Sequence, residues 1–182
     1  MRIREELLTL KDGRTVTLRS VEEKEAEAML DFLRIISEET HYLIRYPEEI
    51  DITLEKEKQI IRNSLDSDDM AWFTVFDGEK VIGNCSVSRK DGFIKTRHRA
   101  DFAIALEEVC CGSGLGTILM EKAAAKAREL GCTQMELGVY ADNERAYALY
   151  RKMGFRECGR TPNAFRLKDG TYIDEINMYM RL

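Results

Sequence analysis

Hydrophobic and polar residues along this chain switch between a period of two, which marks strands, and a period near 3.6, which marks helices. Glu6 to Leu10 and Thr15 to Arg19 alternate and flank Lys11-Asp12-Gly13-Arg14. Asp-Gly between two such runs predicts a β-hairpin. Ser20 then precedes apolar residues at Ala26, Met29, Leu30, Leu33 and Ile36. A serine cap with Glu23 three residues on predicts an amphipathic helix. The segment HYLIRYPEEI, residues 41–50, is irregular and aromatic, and Pro47 breaks it. Thr53 can cap a second helix, LEKEKQIIRNSL.

Met70 to Phe76 predicts a strand, turned by Asp77-Gly78 into its partner VIGNCSVSR. After Asp91-Gly92, Arg99 to Glu107 predicts another. A glycine turn and a helix from Leu115 to Leu130 follow, with Gly131 as the stop. Thr133 to Val139 reads as a strand, and Asn143 to Met153 as a short helix ended by Gly154-Phe155. The tail carries a strand near Arg156 to Gly159, the turn Lys168-Asp169-Gly170 and a last strand near Tyr172 to Met180. Hairpins make the early strands antiparallel. The strand–helix–strand unit from Arg99 to Val139 requires a right-handed parallel crossover. The expected fold class is α/β, more closely an α+β mixed sheet of about seven strands with helices on both faces.

Composition narrows the function classes. With 182 residues, 44% hydrophobic and 34% charged, one folded domain over residues 1–182 is expected. The charged N-terminus lacks the apolar core of a signal peptide, and no run approaches the roughly 20 apolar residues that span a bilayer. A net charge of −5 with one short basic cluster, Lys95 to Arg99, argues against nucleic acid. Cys85, Cys110, Cys111, Cys132 and Cys158 are odd in number and form no CxxC pair, so a reducing, cytoplasmic setting is expected. With only His41 and His98 and no Cys/His cluster, no metal site is expected.

The chemistry lies in the glycine turn. VCCGSGLGT, residues 109–117, places Gly112, Gly114 and Gly116 where a helix must start. A helix N-terminus offers four unpaired N–H groups and a partial positive charge of about half a unit. Glycines let a phosphate approach those donors, so no cationic side chain is obligatory within the turn. The dinucleotide fingerprint GxGxxG fails here, because Thr117 or Leu119 stands at its third glycine. The P-loop fails for want of its lysine, and the nucleophile elbow GxSxG fails at Cys111 and Leu115.

Downstream, Asn143, Ala146, Leu149, Tyr150, Gly154 and Phe155 stand in the pattern N-x-x-A-x-x-L-Y-x-x-x-G-F. With the turn Cys111-Gly112-Ser113-Gly114-Leu115-Gly116, the chain resembles the GNAT superfamily of N-acetyltransferases over nearly its whole length, from about Val16 to Tyr179. That family carries Arg or Gln, then x-x-Gly-x-Gly/Ala, at the start of its central helix; Cys111 is the departure. The resemblance implies an acetyl-coenzyme A site. The pyrophosphate would rest on amides of Cys111, Gly112, Ser113, Gly114, Leu115, Gly116 and Thr117. The pantetheine would pair with backbone near Ile104, Ala105 and Leu106. There the strand near residues 99–107 parts from the one near 133–139 in a V-shaped splay. An amide near Ile104 would bind the thioester carbonyl, and Asn143, with Ala146 in the same motif, would contact the cofactor arm. Tyr150 would be the general acid that protonates the departing thiolate.

The acetyl group then passes directly to a primary amine of a small molecule or a protein N-terminus, with no acyl-enzyme. The general base is open. His98 shares a strand parity with Ala100, Phe102 and Ile104, which would put it on the acceptor side. Glu39, with Glu38 and His41, lies in the region that forms the family's acceptor wall. Asp174 or Glu175 could face an amine or water. Two other classes stand beside the enzyme: an inactive coenzyme A-binding sensor and a nucleotide-binding regulator. A homodimer is an arrangement the resemblance allows, while neither nucleic acid nor membrane is an expected partner.

Overall fold

The computed structural model describes residues 1–90 and 92–182. The expected Asp91-Gly92 turn depends on Asp91, which lies outside the described residues. Eight strands form one sheet: β1 (Glu6–Thr9), β2 (Thr15–Arg19), β3 (Met70–Asp77), β4 (Lys80–Arg89), β5 (Arg99–Leu106), β6 (Gln134–Tyr140), β7 (Arg156–Arg166) and β8 (Tyr172–Arg181). Their order is β1-β2-β3-β4-β5-β6-β8-β7. Every neighbouring pair is antiparallel except β5 and β6. Those two are joined by α3 (Leu115–Glu129), which supplies the parallel crossover.

The remaining helices are α1 (Ala26–Glu39), α2 (Leu54–Asp66) and α4 (Glu144–Lys152). Two cores divide the helices between the sheet faces. Leu115, Leu119, Met120 and Ala123 of α3 and Tyr150 of α4 pack with Phe73, Cys85, Phe102 and Met135. Met29, Phe32 and Ile36 of α1 and Ile61 of α2 pack with Phe76 and Val81 on the opposite face.

Two local expectations are corrected. Ser20 does not cap the first helix; its Oγ accepts the Ile3 N–H at 2.7 Å. A 3-10 turn over Glu23–Glu25 intervenes, with a capping box between Glu22 and Glu25. Thr53 does cap α2, accepting the Lys56 N–H at 3.2 Å. β7 runs to Arg166 and does not stop near Gly159. Register shifts beside Gly159 and between Thr161 and Phe165 let the strand continue past Pro162, with Asn163 at a φ of 52°. Proline is tolerated there because β7 is a sheet edge.

The feature that positions the site is a short pairing. β5 and β6 meet only at Arg99–Gln134, Ala100–Met135 and Asp101–Glu136. Beyond Asp101 the two strands part, so the β6-facing edge of β5 carries no strand partner. Glu136 secures the closed end: Arg99 reaches its carboxylate at 2.5 and 2.6 Å, and Lys90 at 2.8 Å. The Arg99 guanidinium leads in holding the Glu136 carboxyl down to about 2, against the opposing cost of its burial, with Lys90 adding to the effect.

Candidate active site

A cleft of about 1060 Å³ opens where β5 and β6 part. Its walls are β5 from Phe102 to Leu106, the glycine turn, β6 from Gly138 to Tyr140, the first turns of α4, and the C-terminal end of α1 with the chain after it.

The turn is shaped for an anion. Gly112 and Gly114 have φ values of 82° and 89°, in the left-handed region that a side chain resists. Gly114 is the N-cap of α3 and supplies no side-chain cap, and no acidic residue stands in the first turn. The N–H groups of Gly112, Gly114, Gly116 and Thr117 find no acceptor among the described residues. A Cβ on Gly112 would stand in open space, while one on Gly116 would come within 2.9 Å of Leu149 Cδ2, so that glycine lets α4 close against α3. Four free donors at a helix start are what a pyrophosphate requires.

Not every residue of the turn serves this purpose. Cys111 lines the cleft, but its N–H donates to Glu108 O at 2.9 Å. Ser113 and Leu115 are buried away from the cleft. The Ser113 hydroxyl donates to Cys110 O at 2.7 Å, and Leu115 packs in the core. Of the seven amides expected at the phosphates, those of Gly112, Gly114, Gly116 and Thr117 make no hydrogen bond among the described residues.

Ile104, Ala105 and Leu106 line the cleft on the unpaired stretch of β5, as do Asn143, Ala146 and Tyr150 from the other wall. Asn143 also caps α4, its Oδ1 accepting the Ala146 N–H at 3.1 Å. Its side-chain NH2 is left over for a ligand. Tyr150 is 7% exposed, and burial pushes its phenol up to about 12, so it keeps its proton at neutral pH.

The base candidates separate. His98 is exposed in the turn before β5, and its carbonyl accepts the Thr133 N–H at 2.8 Å. That places it at the joined end of the strands, outside the cleft. Of the residues that share its parity, Ala100 and Phe102 pack in the core with α3, while Phe102 and Ile104 also line the cleft. Glu39 does line the cleft, but its Oε2 accepts the Glu108 N–H at 2.8 Å and ties α1 to the end of β5. Glu38 is exposed and lies outside the cleft lining.

The α1–α2 connection continues across the opening. His41 Nε2 meets Asp142 Oδ2 at 2.8 Å, and the Tyr42 hydroxyl donates to Asp142 O at 3.2 Å. Tyr46 Oη accepts the Lys168 N–H at 3.0 Å, and Lys168 stands 4.1 Å over the Tyr46 ring. Inside, Tyr140 and Phe165 stack at 3.7 Å and Tyr42 meets Tyr140 edge-on at 5.8 Å. Glu175 sits on this floor. Its carboxylate occupies the space that a Cβ on Gly138 would need. By register Gly138 lies two residues past the last β5–β6 pair, so this carboxylate stands where the strands separate. Glu175 has no hydrogen-bond or ion-pair partner among the described residues, unlike Asp174, which holds the Asn163 N–H at 2.9 Å.

Sequence reasoning did not anticipate Lys11, Tyr140 or Phe165 in the cleft, and left Glu175 between amine and water. One local signal was available: a glycine inside a strand, Gly138, marks close approach of another group.

Comparison with known proteins agrees with this geometry. The model of the acetyltransferase (GNAT) family matches residues 29–155. An uncharacterized N-acetyltransferase of Bacillus subtilis (strain 168) is 39% identical over 54 residues, which are 30% of this chain and 34% of that protein. The aligned stretch thus covers only about a third of that relative. A GNAT-family acetyltransferase from Streptococcus pneumoniae superposes with a TM-score of 0.85 at 26% identity, over 92% of this chain and 99% of its own. A structure of an acetyltransferase from Salmonella typhimurium, with its cofactor acetyl-CoA, has the same fold: TM-score 0.77, 18% identity, 92% and 94% covered. Strand order, the parting of β5 from β6 and the matched segment converge, and the chain belongs to the GNAT family of acetyltransferases.

Proposed function

We propose that this protein is an acetyl-coenzyme A-dependent N-acetyltransferase, a single domain over residues 1–182, acting on a primary amine of a small molecule or a protein N-terminus. One observation carries the reading: four free amides, an unpaired strand edge and a buried protonated tyrosine border a single cleft. The cosubstrate would lay its pyrophosphate on Gly112, Gly114, Gly116 and Thr117 and its pantetheine arm along β5. Acetyl-CoA in the Salmonella typhimurium relative supports that choice.

An alkyl ammonium has a pKa near ~10.4 and must lose a proton before it can attack. Glu175 suits that role, directly or through one water, because Gly138 admits its carboxylate to the point where the strands part. The amine nitrogen then bonds to the thioester carbon and gives up its second proton to solvent, the carbon–sulfur bond breaks, and the sulfur takes a proton from Tyr150, which regains one from solvent as Glu175 releases its own. The burial that raises the tyrosine also disfavours a thiolate beside it, so donor and acceptor rise together. Stacked Tyr140 and Phe165 give the acceptor an apolar shelf.

Thiol release from acetyl-coenzyme A with a panel of amines tests the proposal. Turnover with at least one amine is expected. Tight coenzyme A binding without turnover would make the protein a binding module, and preference for ATP or NAD would make it a nucleotide regulator.

A further inference from the structure

Position 111 carries cysteine where a cation or amide side chain would stand beside the phosphates, and its N–H is taken by Glu108. The fold brings a cation there from a distant part of the sequence. The β1–β2 turn docks on the glycine turn at two points. Lys11 N–H donates to Ser113 O at 3.0 Å, and Arg14 Nη2 donates to Val109 O at 3.2 Å. The Lys11 stem crosses Gly114, with Cε, Cγ and Cδ at 3.2 to 3.4 Å from where a Cβ would be. Lys11 lines the same cleft as Gly112, Gly116 and Thr117.

Its charge is uncommitted. Asp12, the carboxylate beside it in the chain, is bound by Arg14 at 2.8 Å. Lys80 pairs with Glu107 and Lys122 with Glu6, each within 2.7 Å, whereas Lys11 has no carboxylate partner among the described residues. A free ammonium on a stem laid across the N-terminus of α3, above four unpaired amides, complements a doubly charged diphosphate better than the amides alone.

We propose that Lys11 binds the pyrophosphate of coenzyme A, supplying from the hairpin the side-chain contact that position 111 lacks. This rests on the coenzyme A reading above and extends it to a residue outside the family's sequence motifs. Its consequence is that the β1–β2 hairpin is part of the cosubstrate site.

Calorimetric titration with coenzyme A and with 3′-dephospho-coenzyme A tests it, using the full chain and its Lys11→Met and Lys11→Arg variants. Methionine keeps an apolar stem over Gly114, so the hairpin stays docked, and circular dichroism melts check that it does. Loss of a charge-assisted contact predicts roughly tenfold weaker binding of both ligands by Lys11→Met. The deficit should shrink at high salt, where charge attraction is screened. Lys11→Arg should bind within about threefold of the parent, since it keeps the charge. Lys11→Met affinity within twofold of the parent would overturn the proposal. So would a deficit confined to coenzyme A, which would move the contact to the ribose phosphate, or one indifferent to salt. A parent protein that binds neither ligand would overturn the coenzyme A reading itself, and this inference with it.

Discussion

Tyr150 and Glu175, the acid and base proposed above, are set apart by their surroundings. Burial is the sole cause of the raised Tyr150 pKa, and its hydroxyl has no hydrogen-bond partner among the described residues. The folded protein therefore keeps a proton that the unfolded chain loses above pH 10. Its contribution to stability is complete below pH 10 and is lost as pH rises towards 12. Tyr150→Phe should leave the melting temperature at pH 7 nearly unchanged, because Tyr150 borders the cleft and removing its hydroxyl breaks no hydrogen bond among the described residues. The variant should also show a shallower alkaline decline in melts recorded from pH 9 to 11. Turnover should fall by about 10²- to 10³-fold with coenzyme A affinity preserved; unchanged turnover would remove Tyr150 from the mechanism. Glu175→Gln should lower turnover by at least ~10²-fold, again with cosubstrate binding intact. Gly138→Ala gives an independent check, since its Cβ claims the space of the Glu175 carboxylate. It should reproduce the turnover loss, and full activity in that variant would contradict the placement.

At the scale of elements, the site exists because one strand pair is incomplete. Three residue pairs join β5 to β6, and the Arg99–Glu136–Lys90 cluster holds that closed end. The Glu136 carboxyl is depressed, so its stabilisation is present above about pH 4.5 and disappears as pH falls towards 2. Glu136→Gln should destabilise the fold at pH 7 by on the order of 1–3 kcal/mol, because it removes the charge that Arg99 and Lys90 share between the strands, although Lys90 keeps Asp101 at 3.0 Å. The difference from the parent should shrink in denaturant titrations below pH 4.5 and vanish near pH 2. An equal deficit at both pH values would assign the loss to packing instead of charge. On the other side of the cleft, α3 begins abruptly because Gly114 takes a left-handed conformation. A side chain there is strained by roughly 1–2 kcal/mol and would displace Lys11 as well.

For the whole molecule, the α1–α2 connection matters most. It leaves α1, whose last residue Glu39 holds the Glu108 N–H just past β5, and is tied to the start of α4 through His41 and Tyr42 and to the β7–β8 turn through Tyr46. The connection therefore roofs the aromatic floor formed by Tyr140 and Phe165. His41 and Asp142 are both partly exposed, and such surface pairs contribute roughly 0–1 kcal/mol. The roof is thus cheap to open, which suits the proposed entry of an acceptor. Asp142→Ala should hardly shift the melting temperature, yet it should lower hydrogen-exchange protection of the Tyr42 and Tyr46 amides. Unchanged protection would mean that packing alone holds the roof.

Much of this was legible locally. Periodicity, Asp-Gly turns and the Thr53 cap marked most elements, and the glycine turn, Asn143 and Tyr150, singled out from the sequence, line one cleft. These signals survive in a linear chain because turn chemistry, capping and alternation are interactions among near neighbours. The acceptor side was not legible. His98 stands outside the cleft lining, because parity within a strand does not say how far along it the cleft begins. Glu175 gained its position only through Gly138, 37 residues earlier in the sequence, and Lys11 reached the glycine turn only because a hairpin docks about a hundred residues downstream. The sequence alone determined which elements form and which turn can bind an anion, since both depend on backbone geometry. Tertiary structure alone decided which carboxylate, which aromatic rings and which cation meet across the cleft, because side-chain charge and contact act over distances in space that the order of residues does not encode.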